Sequence, residues 1–335
     1  DANGALLLEP TATNRVTYSE HFTQWTDYNA SAVLSEETIY GKNAYKIVED
    51  STVNYHGVYL SNLFTANATK YVWSVYVKGG ERRYVVLTGR TGISSNDSAL
   101  IFDTQDGLWV LDSSAQNQAF SAESVGNGWW KISMEGSPSS SAYDSFTIAA
   151  SLGGTTYTDA NYQGDGTSGI YVAMAQLEQG SYATSYIPTQ GTTQTRSADT
   201  ANGSGNSTVI NSSEGTLYFE GSALADDGTN RYISLSDGTT GNRVNIFFDS
   251  NNNLRGFYNG LSGSITISTD IKLNNKIAFK YKSGDSALWL NGSEVATRTD
   301  TLSLSGLNSV AFDLGGGSDF YGKVKDLRVF NTALT

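Results

Sequence analysis

Lys70-Tyr-Val-Trp-Ser-Val-Tyr-Val-Lys78 decides the fold. Tyr71, Trp73, Val75 and Val77 fall on one side of an extended chain and Val72, Ser74, Tyr76 and Lys78 on the other, which predicts a half-buried β-strand. The same alternation runs on from Trp129. Trp130, Ile132 and Met134 take the core side there, Lys131 and Ser133 take the solvent side, and Trp129 is expected as the exposed partner of a buried Trp130. Further strands are expected over 44–49, 55–60, 84–88, 99–102, 146–152 and 170–177, with Gly, Asn, Asp and Ser clusters turning the chain between them. No amphipathic helix of about 12 residues or more is legible. Many short strands with turn signals every ~8–12 residues describe an all-β sandwich or jelly roll.

The composition changes after Pro188: 189–213 is almost wholly Thr, Gln, Ser, Asn, Gly and Asp. A second set of strands starts at 215–220 and continues to 324–330. Its connectors Asp227-Gly228, Asp237-Gly238, Asn259-Gly260 and Asn291-Gly292 suit hairpins because Asn and Gly tolerate positive φ. The expected organisation is therefore a sandwich over 1–196, a linker over 197–213 and a second sandwich over 214–335.

The 335 residues include no cysteine and two histidines, His21 and His56, which excludes disulfide scaffolds, thiolate metal sites and cysteine nucleophiles and disfavours His-rich metal sites. No apolar run approaches the roughly 20 residues of a membrane-spanning helix, so membrane insertion is not expected. With 33 acidic against 21 basic residues the net charge is −12, and the longest basic cluster is Arg82-Arg83, so nucleic acid is not an expected partner. The acidity lies mainly in the first domain, where it repels a polyanion and favours a neutral ligand. Asp1-Ala2-Asn3-Gly4 does not read as a signal peptide and is expected to begin a mature chain or an excised fragment.

Two passages resemble known families. Lys276-Ile-Ala-Phe-Lys-Tyr281, Leu288-Trp-Leu-Asn-Gly292 and the run from Phe320 to Leu334 together resemble the laminin-G or concanavalin-A-like lectin fold over 214–335. Leu6-Leu-Leu-Glu-Pro-Thr-Ala-Thr-Asn14, Tyr18-Ser-Glu-His-Phe22, Gly128-Trp-Trp-Lys-Ile-Ser133, Gly164-Asp-Gly-Thr-Ser-Gly-Ile-Tyr171 and 175–188 are similar to a jelly-roll module of phage tail and tail-fibre proteins and of secreted bacterial proteins, itself related to carbohydrate-binding modules. The pairing implies a non-catalytic protein that binds a polysaccharide or cell-surface glycan. It implies an extracellular, secreted or virion setting, and a homo-oligomer where the chain forms part of a tail fibre. A polysaccharide lyase acting on a uronate polymer is the enzymatic alternative, and a purely structural fibre protein the third reading.

Sugar binding needs flat apolar rings beside hydrogen-bonding neighbours. Trp129 with Lys131 leads the candidates, followed by Tyr55, Tyr59, Tyr84, Trp25 and Tyr28. A lyase needs a group that neutralises a carboxylate and a base for the C5 proton, residue types present in His56, Tyr59, Arg83 and Tyr84. The lectin and jelly-roll resemblance also implies a structural Ca²⁺, with Glu9, Asp165, Asp237 and Asp313 as candidate ligands. Turn-forming Asp in a solvated loop and a buried, hydrogen-bonded His56 are the plainer readings of the same residues.

Overall fold

In the computed structural model, residues 4–61, 63, 70–90, 100–111, 119–136, 145–155 and 160–334 are described. Regular structure among them is β apart from a 3-10 turn at Phe22–Gln24. The chain divides into two compact units, Ala12–Arg196 and a second made of Asp1–Thr11 with Ser197–Thr335.

The Ala12–Arg196 unit is a sandwich of two six-stranded antiparallel sheets. One runs Phe120–Gly126, Trp129–Gly136, Tyr71–Gly79, Gly169–Gln179, Lys42–Glu49, Ala30–Ile39. The other runs Leu108–Leu111, Leu100–Asp103, Tyr84–Arg90, Ser145–Ser151, His56–Leu60, Thr26–Tyr28. Tyr71, Trp73, Val75 and Val77 point into the core, where Trp73 stacks on Phe146 of the facing sheet with ring centroids 4.1 Å apart. The other side of that strand departs from expectation. Val72, Ser74 and Tyr76 are buried too, at 2%, 3% and 8% exposure. Their cover comes from residues 184–187, which return across the outer face. Lys131 Nζ donates to the Thr184 carbonyl, Thr184 N–H to Glu178 and Ile187 N–H to Gln176 Oε1. Beneath this segment Trp129, Tyr76, Ala173 and Met174 form a second small core with Tyr186 against it.

The second unit is also a two-sheet sandwich. Its first sheet runs Leu6–Leu8, Gly322–Phe330, Glu214–Ala223, Asn275–Lys282, Ser286–Leu290, Ser293–Arg298. Its second runs Asn202–Ser204, Ser309–Ala311, Arg231–Ser236, Arg243–Phe248, Asn253–Tyr258, Ile265–Ser268. Phe279 of the first sheet stacks on Tyr258 of the second, and a Cβ at Gly256 would lie 3.1 Å from the Phe279 ring, so this close approach needs glycine.

The all-β class with two sandwiches is what the sequence led us to expect, but the units are divided elsewhere. Leu6–Leu8 pairs with Gly322–Val324 at the far end of the chain, and Leu8 is 3% exposed in the second core. A three-residue strand has no period to read. The polar stretch 197–213 is likewise part of the second sandwich: Asn202–Ser204 pairs with Ser309–Ala311, and Ile210 is buried in its core. Residues 12–196 are thus an insertion between the first and second strands of the other unit.

Leu8 is therefore part of the second unit's core. Leu8→Ala is expected to cost that unit about 2–4 kcal/mol, whereas Leu6→Ala, at a 51% exposed position, should cost under about 1 kcal/mol. Urea unfolding followed through Trp289, the one tryptophan of 197–335, measures both. Equal effects would mean that the N-terminal strand does not pack as described.

Candidate functional site

The residues singled out in the inserted unit are not brought together. Trp129 is 2% exposed under the 184–187 segment, so its ring cannot stack on a ligand. Alternation did place it opposite Trp130, but that side of the sheet is itself covered. Lys131 points to the same cover. Trp25 lies in the main core, its indole N–H on the Tyr18 carbonyl, and Tyr55 is 2% exposed in a small cluster with Val86 and Ile101. Tyr28 is exposed and meets Tyr55 edge-on. Tyr59 and Tyr84 are half-buried on the outer side of their sheet.

Of the four lyase candidates, Arg83 lies over the Tyr84 ring at 5.4 Å, but His56 is apart from both. His56 is fully buried, its Nδ1 2.7 Å from the Asn29 carbonyl and its Nε2 3.1 Å from that of Tyr162, while strand alternation turns Tyr59 to the opposite face. Arg83 is held by Asp103 and Asp106. The proposed calcium carboxylates occupy four separate settings. Asp165 accepts from Thr167, Ser168 and Arg82, Asp237 from Thr239 and Asn242, and Asp313 from Asn202 and Gly315; Glu9 is buried at 5% exposure. Among the described residues no three His, Asp or Glu side chains form a metal-holding group. At Asp165 the Arg82 guanidinium takes the place a cation would need.

Arg82 belongs to a closed network. Its Nε donates to Glu49 Oε2 at 2.8 Å, its NH2 to Glu49 Oε1, and the same carboxylate accepts from the Tyr162 hydroxyl and the Asp165 N–H. Burial pushes the Glu49 carboxyl up, and these donors outweigh it, holding it below the usual value. The open polar cleft of about 360 Å³ beside Glu20, His21 and Lys42 is similarly self-paired, with Lys42 and Glu20 2.9 Å apart.

The outer face of the second unit's Asn202–Ser268 sheet differs. Val244, Ile246 and Phe248 face the core, so Arg243, Asn245 and Phe247 leave on the other side. Asn245 sits between Arg243 and Phe247 along its own strand and between Ser234 and Phe257 across the sheet. Tyr232 stacks on Phe247 with centroids 4.4 Å apart and planes 16° from parallel. The Arg243 guanidinium lies 5.1 Å from the centre of the Phe257 ring.

Ser234 and Asn245 are 0% exposed, yet Ser234 Oγ and both amide atoms of Asn245 have no hydrogen-bond partner among the described residues; the same holds for Arg243 Nε. Buried polar groups are paired in the large majority of cases, so four unpaired atoms on one face mark it as unusual. Burial lowers the Arg243 guanidinium from its ordinary value, and no carboxylate opposes that. Burial also raises the Tyr232 phenol, while the charges of Arg243 and Arg255 pull it the other way. Arg255 itself is held by Asp249. The sequence signal was Arg243-Val-Asn-Ile-Phe-Phe248, whose off-core positions carry Arg, Asn and Phe rather than the Ser and Thr of a plain solvated face.

The chain matches no protein-family model and no curated protein. Among solved structures it is similar to the Ruminococcus gnavus IT-sialidase CBM40, with 17% identity over 40% of this chain and 89% of that one, at a TM-score of 0.32. It is also similar to domains LG4-5 of the mouse laminin alpha1 chain, with 11% identity, 90% and 96% coverage and a TM-score of 0.29. Trypanosoma rangeli sialidase in complex with sialic acid gives 11% identity, 92% and 61% coverage and a TM-score of 0.31.

The Arg82 network sets an acid response. A carboxyl held low in the folded state contributes stability above its unfolded value, and that contribution is lost as pH falls through the folded one. Glu49 and Asp103 are both held low, Asp103 by Arg83 and backbone amides against the upward push of burial. Thermal melts of the 12–196 transition are expected to be flat near neutrality and to fall below about pH 4.5. Arg82→Met leaves Glu49 buried without its cation. It should lower neutral stability by about 3–5 kcal/mol and shrink the acid loss. An unchanged acid profile in the variant would show that the pair contributes nothing to it.

Proposed function

We propose that this protein binds carbohydrate through the outer face around Asn245 in its 197–335 unit. One observation carries the reading: a buried amide and hydroxyl without partners among the described residues, set among aromatic rings. A sugar ring offers what that face lacks. Its hydroxyls are donors and acceptors that match Asn245 Oδ1, Asn245 Nδ2 and Ser234 Oγ, and its C–H face suits the apolar surface of Tyr232, Phe247 and Phe257. Arg243 is held over Phe257 by a ring contact alone, so moving it aside to admit a ligand breaks no ion pair among the described residues. The resemblance of the sequence to tail-fibre and secreted bacterial modules supports a phage tail fibre or a secreted polysaccharide-degrading system, and hence an extracellular or virion setting.

Removing the unpaired amide should separate binding from stability. Asn245→Leu deletes a buried polar group without a partner and is expected to leave the unit's unfolding free energy unchanged or higher by up to about 1–2 kcal/mol. The same variant, like Phe247→Ala, should weaken polysaccharide binding at least about 10-fold, a loss of about 1.4 kcal/mol. Affinity electrophoresis through gels containing neutral and acidic polysaccharides reads the binding. Absence of retardation by every polymer, or retardation unchanged in Asn245→Leu, would sink the assignment.

A further inference from the structure

Five arginines among the described residues hold a carboxylate, Arg328 with Asp326 being one. Arg82 holds Glu49, Arg83 holds Asp103, Arg231 holds Asp227 and Arg255 holds Asp249. Arg243 holds none: it is half-buried and rests on a phenylalanine ring, as Arg15 rests on Tyr71, but its Nε is unpartnered and the buried, unpaired Asn245 and Ser234 lie beside it, with no carboxylate in reach among the described residues. This occurs in a chain with 33 acidic residues, where a carboxylate partner would be easy to supply. A guanidinium kept partly out of water without an anion is an unfavourable arrangement that a bound anion would relieve. Its neighbours fit the same conclusion. Arg255 faces out from the next strand but one residue along, opposite Phe247, and adds positive charge to the face. The one nearby acid, Asp249, is occupied by Arg255 and by the N–H groups of Asn251 and Asn253.

We propose that the ligand is an acidic sugar whose carboxylate or sulfate oxygens pair with the Arg243 guanidinium while its hydroxyls reach Asn245 and Ser234. This rests on the carbohydrate reading above and narrows it to anionic glycans. It also reverses the preference for a neutral ligand that net charge suggested, because the local charge at Arg243 is positive and no carboxylate among the described residues pairs with it. A planar carboxylate can accept two N–H bonds from one guanidinium, and a sulfate ester presents the same oxygen pair.

The test reads Arg243 directly. The full chain is titrated with sodium glucuronate, glucose and sodium sulfate while the Arg243 Nε–H resonance is followed by NMR, assigned by its disappearance in Arg243→Gln. Glucuronate is expected to shift the resonance at a concentration at least 10-fold below that needed for glucose, with added sodium chloride weakening the effect. Arg243→Lys, which keeps the charge, guards against a folding failure in the glutamine variant; in it, followed through the Asn245 side-chain amide resonance, glucuronate should still bind more tightly than glucose. Equal responses to glucuronate and glucose would overturn the anionic preference and leave the carbohydrate reading standing. A response to sulfate with none to either sugar would overturn the carbohydrate reading and reduce Arg243 to a simple anion site. No response to any of the three would overturn both.

Discussion

Alternation along a β-strand sends every second side chain out of the sandwich, and this fold depends on what receives that second set. In the Ala12–Arg196 unit it is received by the chain itself. Residues 184–187 lie over the sheet that carries Trp73, so the strand that begins at Tyr71 is buried on both faces and Trp129 is enclosed. Such a cover brings backbone polar groups into a dry place, and it is stable because Gln176, Glu178 and Lys131 meet them with hydrogen bonds. In the other unit the outward set of the Arg243–Phe248 strand includes an amide that is buried among its neighbours but bonded to none.

The strands and both cores were legible because they rest on a local property. Period two survives in Tyr71–Val77 and in Ile132–Met134, whose expected residues enter the core, whereas Trp130, expected to be buried, is only half-buried against it; Arg243–Phe248 forms the expected strand. The environment of the outer faces was not legible, because it depends on contacts between distant segments. Nothing near Trp129 announces that residues some fifty positions later will cover it. The same limit hid the true division of the chain: Leu6–Leu8 is too short to show a period, and its partner strand is the last of the chain. The Asn245 face was within reach of alternation alone. Its signal is the Arg, Asn and Phe at positions 243, 245 and 247; no tryptophan marks it, since 197–335 has only Trp289.

Charge shows the same division between closed and open. In the inserted unit Arg82 and Arg83 are both tied to carboxylates, and Glu49 alone accepts four donors. Candidate catalytic and metal residues there, Arg83, Asp165 and His56, have all been drawn into structural bonds. That is the usual fate of polar groups near a core, since an unpaired one costs roughly 1–3 kcal/mol.

Against that background the Asn245 face combines a fixed floor with a movable rim. Val244 and Ile246, on either side of Asn245, are buried at 0% and 2% exposure, and the strand is paired on both edges, so the backbone that carries the amide is fixed. Arg243, by contrast, is a long side chain held by a single ring contact. An amide on a fixed backbone loses little freedom when a ligand arrives, and a loosely held guanidinium can follow the ligand's charge. If apolar packing were all that this face had to achieve, leucine at 245 would achieve it better. The amide, unpaired among the described residues, is therefore a cost to folding, and the carbohydrate proposed here would offset it.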